Sequence, residues 1–173
     1  MITQEYLLEC FDFDFDKGLM FWKERPRSQF ATQNAYNRFK TKYAGKQVGY
    51  LNSFGYLTVC LDYKNRTLHR LIYLAFHGNV PKSLDHANCD KTDNRICNLR
   101  PATSSENNRN RGKPKDNTSG FIGVTKNGKK WKATAQCLDG KSFHLGTFDT
   151  AEEASKARET FCKNNYGEFY RPT

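Results

Sequence analysis

Residues 84–107, which read LDHANCDKTDNRICNLRPATSSEN, decide the fold of the middle of the chain. The segment 84–86 predicts a short strand, and 99–102 can return beside it as a second strand. The polar residues between them predict a loop. Residues 103–106 have the Thr-x-x-Glu spacing of a capping box, which predicts a helix that starts there and runs towards Asn110.

Three side chains of this stretch suit the hydrolysis of a phosphodiester. Asp85 and His86 are neighbours on a strand and point to opposite faces, yet twist at the strand end can bring both near one phosphate. A neutral imidazole can deprotonate water near pH 7. A hard divalent cation prefers oxygen ligands, such as the Asp85 carboxylate and the Asn107 amide. The alternatives are a structural Asp-His dipeptide, with Asp85 as a solvated carboxylate or a loop cap, and an ordinary helix residue at position 107, since Asn108 and Asn110 lie close by.

This stretch, with His69-Arg70-Leu71 before it, resembles the HNH endonucleases. Among them it is most similar to the free-standing phage and intron-encoded homing enzymes with a ββα-metal finger. The resemblance covers about residues 45–110, and the family's pattern of His, Asn and then His or Asn falls on His86, Asn98 and Asn107. It implies a metal-dependent DNA endonuclease with one Mg²⁺ or Mn²⁺ in each active site and no small-molecule cofactor.

The resemblance also implies a role for each residue of the site. His86 is implied as the general base, and Asn98 as the residue that braces the loop by hydrogen bonds. Asp85 and Asn107 are implied as the metal ligands. The chain departs from the family at Cys89, where relatives often have Gly, a residue that suits a turn with positive φ. This departure concerns the geometry of the loop and leaves the metal ligands in place.

Six cysteines are spread along the chain without a Cys-x-x-Cys pair, which predicts reduced thiols and does not support a cysteine-based zinc site. A metal role for Cys89 and Cys97, which flank the polar loop, stays open. The first residues, MITQEY, do not have the basic and apolar segments of a secretory signal. No apolar run is long enough for a membrane span, so the prediction is a cytoplasmic protein, in the host cell if the chain is phage-encoded.

The chain before residue 84 also has recognisable patterns. In chain order they predict a helix after Thr3, a strand at 19–22, a polar and basic loop over 25–47, two strands at 56–61 and around Thr67 joined by 62–66, and a helix from Leu68 to Phe76 that Gly78 ends.

The last third of the chain is predicted to be a separate small module. Its predicted elements are strands at 120–126, 130–138 and 142–148, hairpin turns at Asn127-Gly128 and Asp139-Gly140, and a helix after the capping box of 150–153. Its segments NTSGFIGV, WKA, HLGTF and AEEA resemble the plant APETALA2-type DNA-binding domain over about residues 117–170. This resemblance implies that the sheet enters the major groove of duplex DNA.

Positive charge supports a nucleic-acid partner. The chain has 28 Lys and Arg residues against 18 Asp and Glu residues, a net charge of +10. Asp62 is the one acid of residues 25–82, and such concentrated charge favours a polyanion. The candidate DNA contacts are Arg70, Arg95, Arg109, Arg111, Lys113, Lys126, Lys130, Lys132, Thr134, Gln136 and His144.

These patterns predict an α+β protein in which a ββα-metal HNH finger precedes a small three-stranded antiparallel sheet packed on one helix. The predicted segments are an N-terminal accessory region (1–44), the HNH nuclease domain (45–110), a basic linker (111–116) and the APETALA2-like domain (117–173). The function they favour is a homing-type DNA endonuclease that nicks as a monomer, with a dimer left open. The alternatives are a DNA-binding regulator with an inactive finger, and a basic RNA-binding factor, for which no ribonucleoprotein-type aromatic motif is present.

Overall fold

The computed structural model describes residues 2–110, 116–136 and 141–170, except for the side chains of Asn108, Arg109 and Glu168. Helices and small antiparallel sheets are mixed along the chain, so the fold class is α+β, as predicted. The chain divides into two compact units, residues 1–101 and 102–173. The helix that follows Thr103 is therefore in the second unit, whereas the sequence had grouped it with residues 45–110.

The first unit contains three helices and three small antiparallel sheets. Its elements are α1 (Gln4–Cys10), β1 (Phe11–Asp14), β2 (Leu19–Trp22), α2 (Gln33–Lys42), β3 (Tyr50–Leu51), β4 (Leu57–Leu61), β5 (Lys64–Thr67), α3 (Leu68–His77), β6 (Leu84–His86) and β7 (Leu99–Pro101), with short 3-10 turns at Arg27–Gln29 and Ile96–Asn98. The sheets pair β1 with β2, β3 with β4 and β5, and β6 with β7.

The N-terminal elements belong to the core of this unit. Leu7 of α1, Phe11 of β1 and Met20 of β2 are fully buried and cluster with Ile72 of α3 and Val59 of β4. Complete burial of a large apolar side chain contributes about 1.5–3 kcal/mol. Apolar residues of α1, β1 and β2 thus share one hydrophobic core with α3 and β4, and the accessory role predicted for residues 1–44 stays a prediction.

The prediction of a loop over 25–47 is wrong, because this segment contains α2. The hydroxyl of Thr32 accepts a hydrogen bond from the Ala35 amide at 3.1 Å and caps the first turn of the helix. Phe39 and Tyr43, one helical turn apart, place their rings 5.6 and 6.0 Å from that of Trp22. This narrow aromatic stripe stabilises the helix. Apart from Ala35 and Tyr36 its other residues are polar, so the helical period is weak in the sequence.

The connection between β4 and β5 is shorter than predicted. A two-residue turn, Asp62-Tyr63, replaces the predicted loop of 62–66, and β5 begins at Lys64. Both turn residues have positive φ, 51° and 61°, the conformation of a tight type I′ hairpin. The turn contains no Gly, so the sequence did not signal it. Strands β1 and β3 were also not predicted.

The second unit contains a three-stranded antiparallel sheet and a long helix, as predicted. Its elements are α4 (Ser104–Arg109), β8 (Val124–Asn127), β9 (Lys130–Gln136), β10 (Ser142–Phe148), α5 (Ala151–Tyr166) and a 3-10 turn at Gly167–Phe169. The strand order is β10-β9-β8, and small side chains of β9 pack on α5. The predicted strand at 120–126 starts only at Val124, and the turn at Asp139-Gly140 lies outside the described residues.

Both predicted capping boxes are present in this unit. The Thr103 hydroxyl accepts from the Glu106 amide at 3.2 Å, and the Thr103 amide donates to the Glu106 carboxylate at 2.6 Å. Thr150 and Glu153 exchange the same pair of bonds at the start of α5. Capping depends on residues three positions apart, which is why the sequence alone predicted both helix starts.

None of the helices described here has the length and apolar character needed to cross a bilayer.

Candidate active site

The β6–β7 hairpin places Asp85 and His86 on one short, buried strand. Asp85 pairs in register with Arg100, and His86 pairs with Leu99. Asp85 and His86 are each only 5% exposed. The Arg100 guanidinium donates from Nε at 3.1 Å and from Nη2 at 3.0 Å to Oδ2 of Asp85. A carboxylate buried to this extent needs such a partner, because an uncompensated buried charge is strongly unfavourable.

The imidazole of His86 lies in a cluster of polar and aromatic side chains. Its Nε2 is 3.2 Å from Oδ1 of Asn94, which is 1% exposed. The His69 ring lies edge-on to the His86 ring with centroids 5.0 Å apart, and the Tyr56 ring is 6.0 Å away. The ring of His86 therefore contacts one amide and two neighbouring rings, those of His69 and Tyr56.

Asn98 closes the polar loop that joins β6 to β7. Its Oδ1 accepts from the Asn88 amide at 2.9 Å, and its Nδ2 donates to Oδ1 of Asn88 at 3.0 Å and to the Asp93 carbonyl at 2.8 Å. Its carbonyl accepts from the Ala87 amide at 2.9 Å. One side chain thus connects both ends of the loop, and the contribution of Asn98 to catalysis stays a prediction.

Acidic residues order the rest of the loop. Asp90 accepts from the amide of Thr92 at 2.9 Å and from its hydroxyl at 2.7 Å. The Arg95 guanidinium donates to both oxygens of Asp93, at 2.8 and 2.6 Å, and holds the pKa of Asp93 down at about 2. Cys89 has a φ of 64°, the left-handed conformation in which Gly is favoured. The described cysteines form no disulfide.

His69 is a buried histidine whose place in the cluster the sequence did not reveal. It is 7% exposed, and its Nδ1 has no hydrogen-bond partner. Burial, and then the charges of His86 and Arg70, lowers its pKa to about 3. The ring is therefore neutral at neutral pH. Its contacts with Tyr56 and His86 are packing contacts.

The two predicted metal ligands lie in different compact units. Asp85 is on β6 of the first unit, and Asn107 is on α4 of the second. Their carboxylate and amide oxygens are hard donors and fit Mg²⁺ or Mn²⁺ in kind. Among the residues that the structure describes, no group of three or more His, Cys, Asp or Glu side chains is placed to hold a metal ion. The assignment of Asp85 and Asn107 as ligands stays a prediction.

Several predicted DNA contacts are engaged within the protein. Arg70 donates to the carbonyls of Pro81 at 3.1 Å and Lys82 at 3.4 Å. Lys130 forms an ion pair with Asp149 at 3.2 Å. Arg95 pairs with Asp93 as described above, and the Thr134 hydroxyl donates to the Gly123 carbonyl at 3.2 Å.

The remaining candidates divide by exposure. Lys126, Gln136 and His144 are exposed on the sheet of the second unit, and Lys132 is half-buried there. Arg111 and Lys113, and the side chain of Arg109, lie outside the described part of the chain. Contact with DNA stays a prediction for all of these residues.

Asn94 and Tyr56 are the side chains of this site that sequence reasoning missed. Asn94 is one of several Asn residues in the polar loop, and no spacing rule distinguishes it from the others. Tyr56 begins a strand-like run, and its ring contact with His86 joins residues 30 positions apart. Neither contact has a local sequence signal.

Two comparisons with known proteins match the part of the chain that contains these residues. Residues 66–109 match the family model described as HNH endonuclease. The chain is also 30% identical over 126 residues to an uncharacterized HNH endonuclease of Acanthamoeba polyphaga mimivirus. That alignment covers 71% of this chain and 65% of the relative's length. No solved structure matches the chain at comparable significance. The segment that matches the HNH endonuclease family therefore contains Asp85, His86, Asn94 and Asn98.

Proposed function

We propose that the protein is a metal-dependent endonuclease of the homing type that hydrolyses one strand of duplex DNA at a time. The observation that supports this most strongly is the position of Asp85 next to a buried, hydrogen-bonded His86 on β6, inside the segment that matches the HNH endonuclease family. The basic charge of the chain suits the polyanionic substrate.

His86 is the general base of the proposed reaction. The imidazole takes a proton from water, the water oxygen forms a bond to phosphorus, and the bond from phosphorus to the 3′ oxygen breaks. The products are a 5′-phosphate and a 3′-hydroxyl, whose proton comes from solvent. A bound Mg²⁺ or Mn²⁺, with Asp85 and Asn107 as its protein ligands, would stabilise negative charge on the departing oxygen.

The second unit is proposed to read DNA in the manner of the APETALA2-type domain. Its exposed Lys126 and Lys130 would contact phosphates, and Gln136 is the best candidate for a contact with a base edge. With one active site per chain, the protein nicks as a monomer. A double-strand break needs a second site, from a dimer or from rebinding. A phage origin and a cytoplasmic location belong to the same proposal.

The decisive experiment is relaxation of supercoiled plasmid DNA with Mg²⁺ or Mn²⁺ by the wild type and by His86→Ala. Loss of a general base lowers the rate by about 100- to 10,000-fold. His77→Ala, which removes an exposed histidine at the end of α3, is the matched control and is expected to cut normally. Salt-sensitive binding without metal-dependent cutting would instead support the DNA-binding regulator.

A further inference from the structure

We infer that the β1–β2 hairpin positions His86 through Asn94, so that Asn94 and Gly18 are positioning residues for the general base. The inference rests on the proposed function for the role of His86. It gives the N-terminal segment a part in the active site, beyond its share of the hydrophobic core. The contacts that carry it are a buried hydrogen bond and a close backbone approach.

The first contact determines which nitrogen of His86 can act as a base. Oδ1 of an asparagine accepts hydrogen bonds and cannot donate, so at 3.2 Å from Nε2 it requires the proton to be on Nε2. In the neutral ring the lone pair that takes a proton is then on Nδ1. Because the bond is buried, loss of the acceptor would also remove a hydrogen bond in a place that water does not reach, which is costly.

The side-chain amide of Asn94 makes its hydrogen bond with His86. Its side chain is almost fully buried, and its Nδ2 has no hydrogen-bond partner. An asparagine that serves only to brace a loop would be expected to use both ends of its amide, as Asn98 does. The amide of Asn94 uses its oxygen on His86 and leaves its nitrogen unpaired.

The second contact holds the backbone of Asn94 against the turn of the β1–β2 hairpin. Gly18 has a φ of +67°, and a Cβ added there would lie 2.3 Å from the carbonyl carbon of Asn94 and 2.3 Å from the nitrogen of Arg95. Beside it, the Ile96 amide donates to the Phe15 carbonyl at 3.1 Å. Any side chain at position 18 must therefore push the loop away from the hairpin, and with it the amide that contacts His86.

The first test measures the tautomer directly in the metal-free protein. Long-range ¹H–¹⁵N NMR at a pH where the ring of His86 is neutral reports which nitrogen carries the proton. We expect Nε2–H in the wild type. A proton on Nδ1 in the wild type would overturn the inference. The measurement uses the wild type alone and does not depend on whether the protein cleaves DNA.

The second test replaces Asn94. In Asn94→Ala we expect a mixed tautomer, and kcat for nicking about 10- to 100-fold lower, the usual effect of losing a residue that orients a functional side chain. KM should stay within about twofold, since the side chain of Asn94 is buried and not exposed on the surface that a substrate would meet. Asn94→Asp restores an acceptor and should restore the Nε2–H tautomer. Unchanged kcat and tautomer in folded Asn94→Ala would overturn the inference.

The third test uses matched glycines. Gly18→Ala should lower kcat and perturb the His86 resonances, because its Cβ displaces the backbone of Asn94. Gly45→Ala is the control, since Gly45 has a similar φ of +74° but nothing within 4 Å of an added Cβ. Equal effects of the two substitutions would assign the change to backbone strain and reject the positioning role. A wild type that holds the Nε2–H tautomer but never cleaves DNA would refute the proposed function alone.

Discussion

At the scale of single residues, burial sets the charge of the side chains around the candidate base. His69 is held neutral by burial and by the nearby charges of His86 and Arg70, so its pKa is about 3 in the folded state. In the unfolded chain the pKa of a histidine is near 6.5. Between these values the unfolded state binds a proton that the folded state does not, so stability falls as the pH falls from about 6.5 towards 3.

We therefore expect His69 to make the protein sensitive to mild acid. Between pH 7 and pH 4.5 this residue should remove about 2–3 kcal/mol from the free energy of unfolding, and His69→Phe should abolish that part of the dependence. Urea unfolding at several pH values measures it. His77→Phe, at an exposed position, is the control and should keep the slope of the wild type. Parallel curves for the wild type and His69→Phe would show that His69 is not buried as a neutral ring.

At the scale of elements, aromatic contacts rather than a buried face stabilise α2. The helix has no buried residue, and Phe39 contacts the rings of Trp22, Phe30 and Tyr43 at 5.1–5.8 Å. Helices of this length are marginal in water without tertiary contacts. The polar pattern of 25–47 therefore predicted a loop, since the two aromatic residues of the helix, with Tyr43 directly after it, give too weak a period to identify it.

Removal of the central ring should melt α2 without unfolding the unit. We expect Phe39→Ala to cost about 1–2 kcal/mol locally, from lost ring contacts and apolar burial. Amide hydrogen exchange should accelerate across Gln33–Lys42 and stay unchanged in α3. Arg38→Ala removes the exposed neighbouring side chain and should leave the exchange rates of α2 nearly unaltered. Uniformly faster exchange in both helices would mean that α2 is part of the global folding unit.

At the scale of the whole molecule, the net charge of +10 should dominate DNA affinity. Each phosphate contact releases counterions, so the logarithm of the binding constant should fall linearly with the logarithm of salt concentration. Lys126→Ala is expected to reduce that slope by about 1 without changing sequence preference, whereas Gln136→Ala should relax preference and keep the slope.

Binding titrations over a range of KCl concentrations measure both quantities. Lys163→Ala is the control, because Lys163 lies on α5 and is paired with Glu159 at 2.8 Å. If Lys163→Ala and Lys126→Ala change the slope equally, the sheet is not the DNA-binding face. If every sheet variant keeps the sequence preference of the wild type, this unit does not read bases.

The sequence by itself determined the elements that depend on neighbouring residues. The capping boxes at Thr103 and Thr150, the end of α3 at Gly78 and the short strand with Asp85 and His86 all follow from patterns within a few positions. Cys89 was identified from the sequence only as a departure from the family's Gly that concerned the loop geometry, and the structure shows that it keeps a positive φ of 64°. These features are local, so their physical causes are visible in the order of the residues.

Only the tertiary structure decided which distant residues meet at the candidate site. Gly18 and Asn94 are 76 positions apart, and no periodicity connects a hairpin turn at one with a polar loop at the other. The same holds for the ring contacts of Tyr56 and His69 with His86. Such contacts form because buried groups from separate elements must share one close-packed interior, and that requirement leaves no signature in either segment alone.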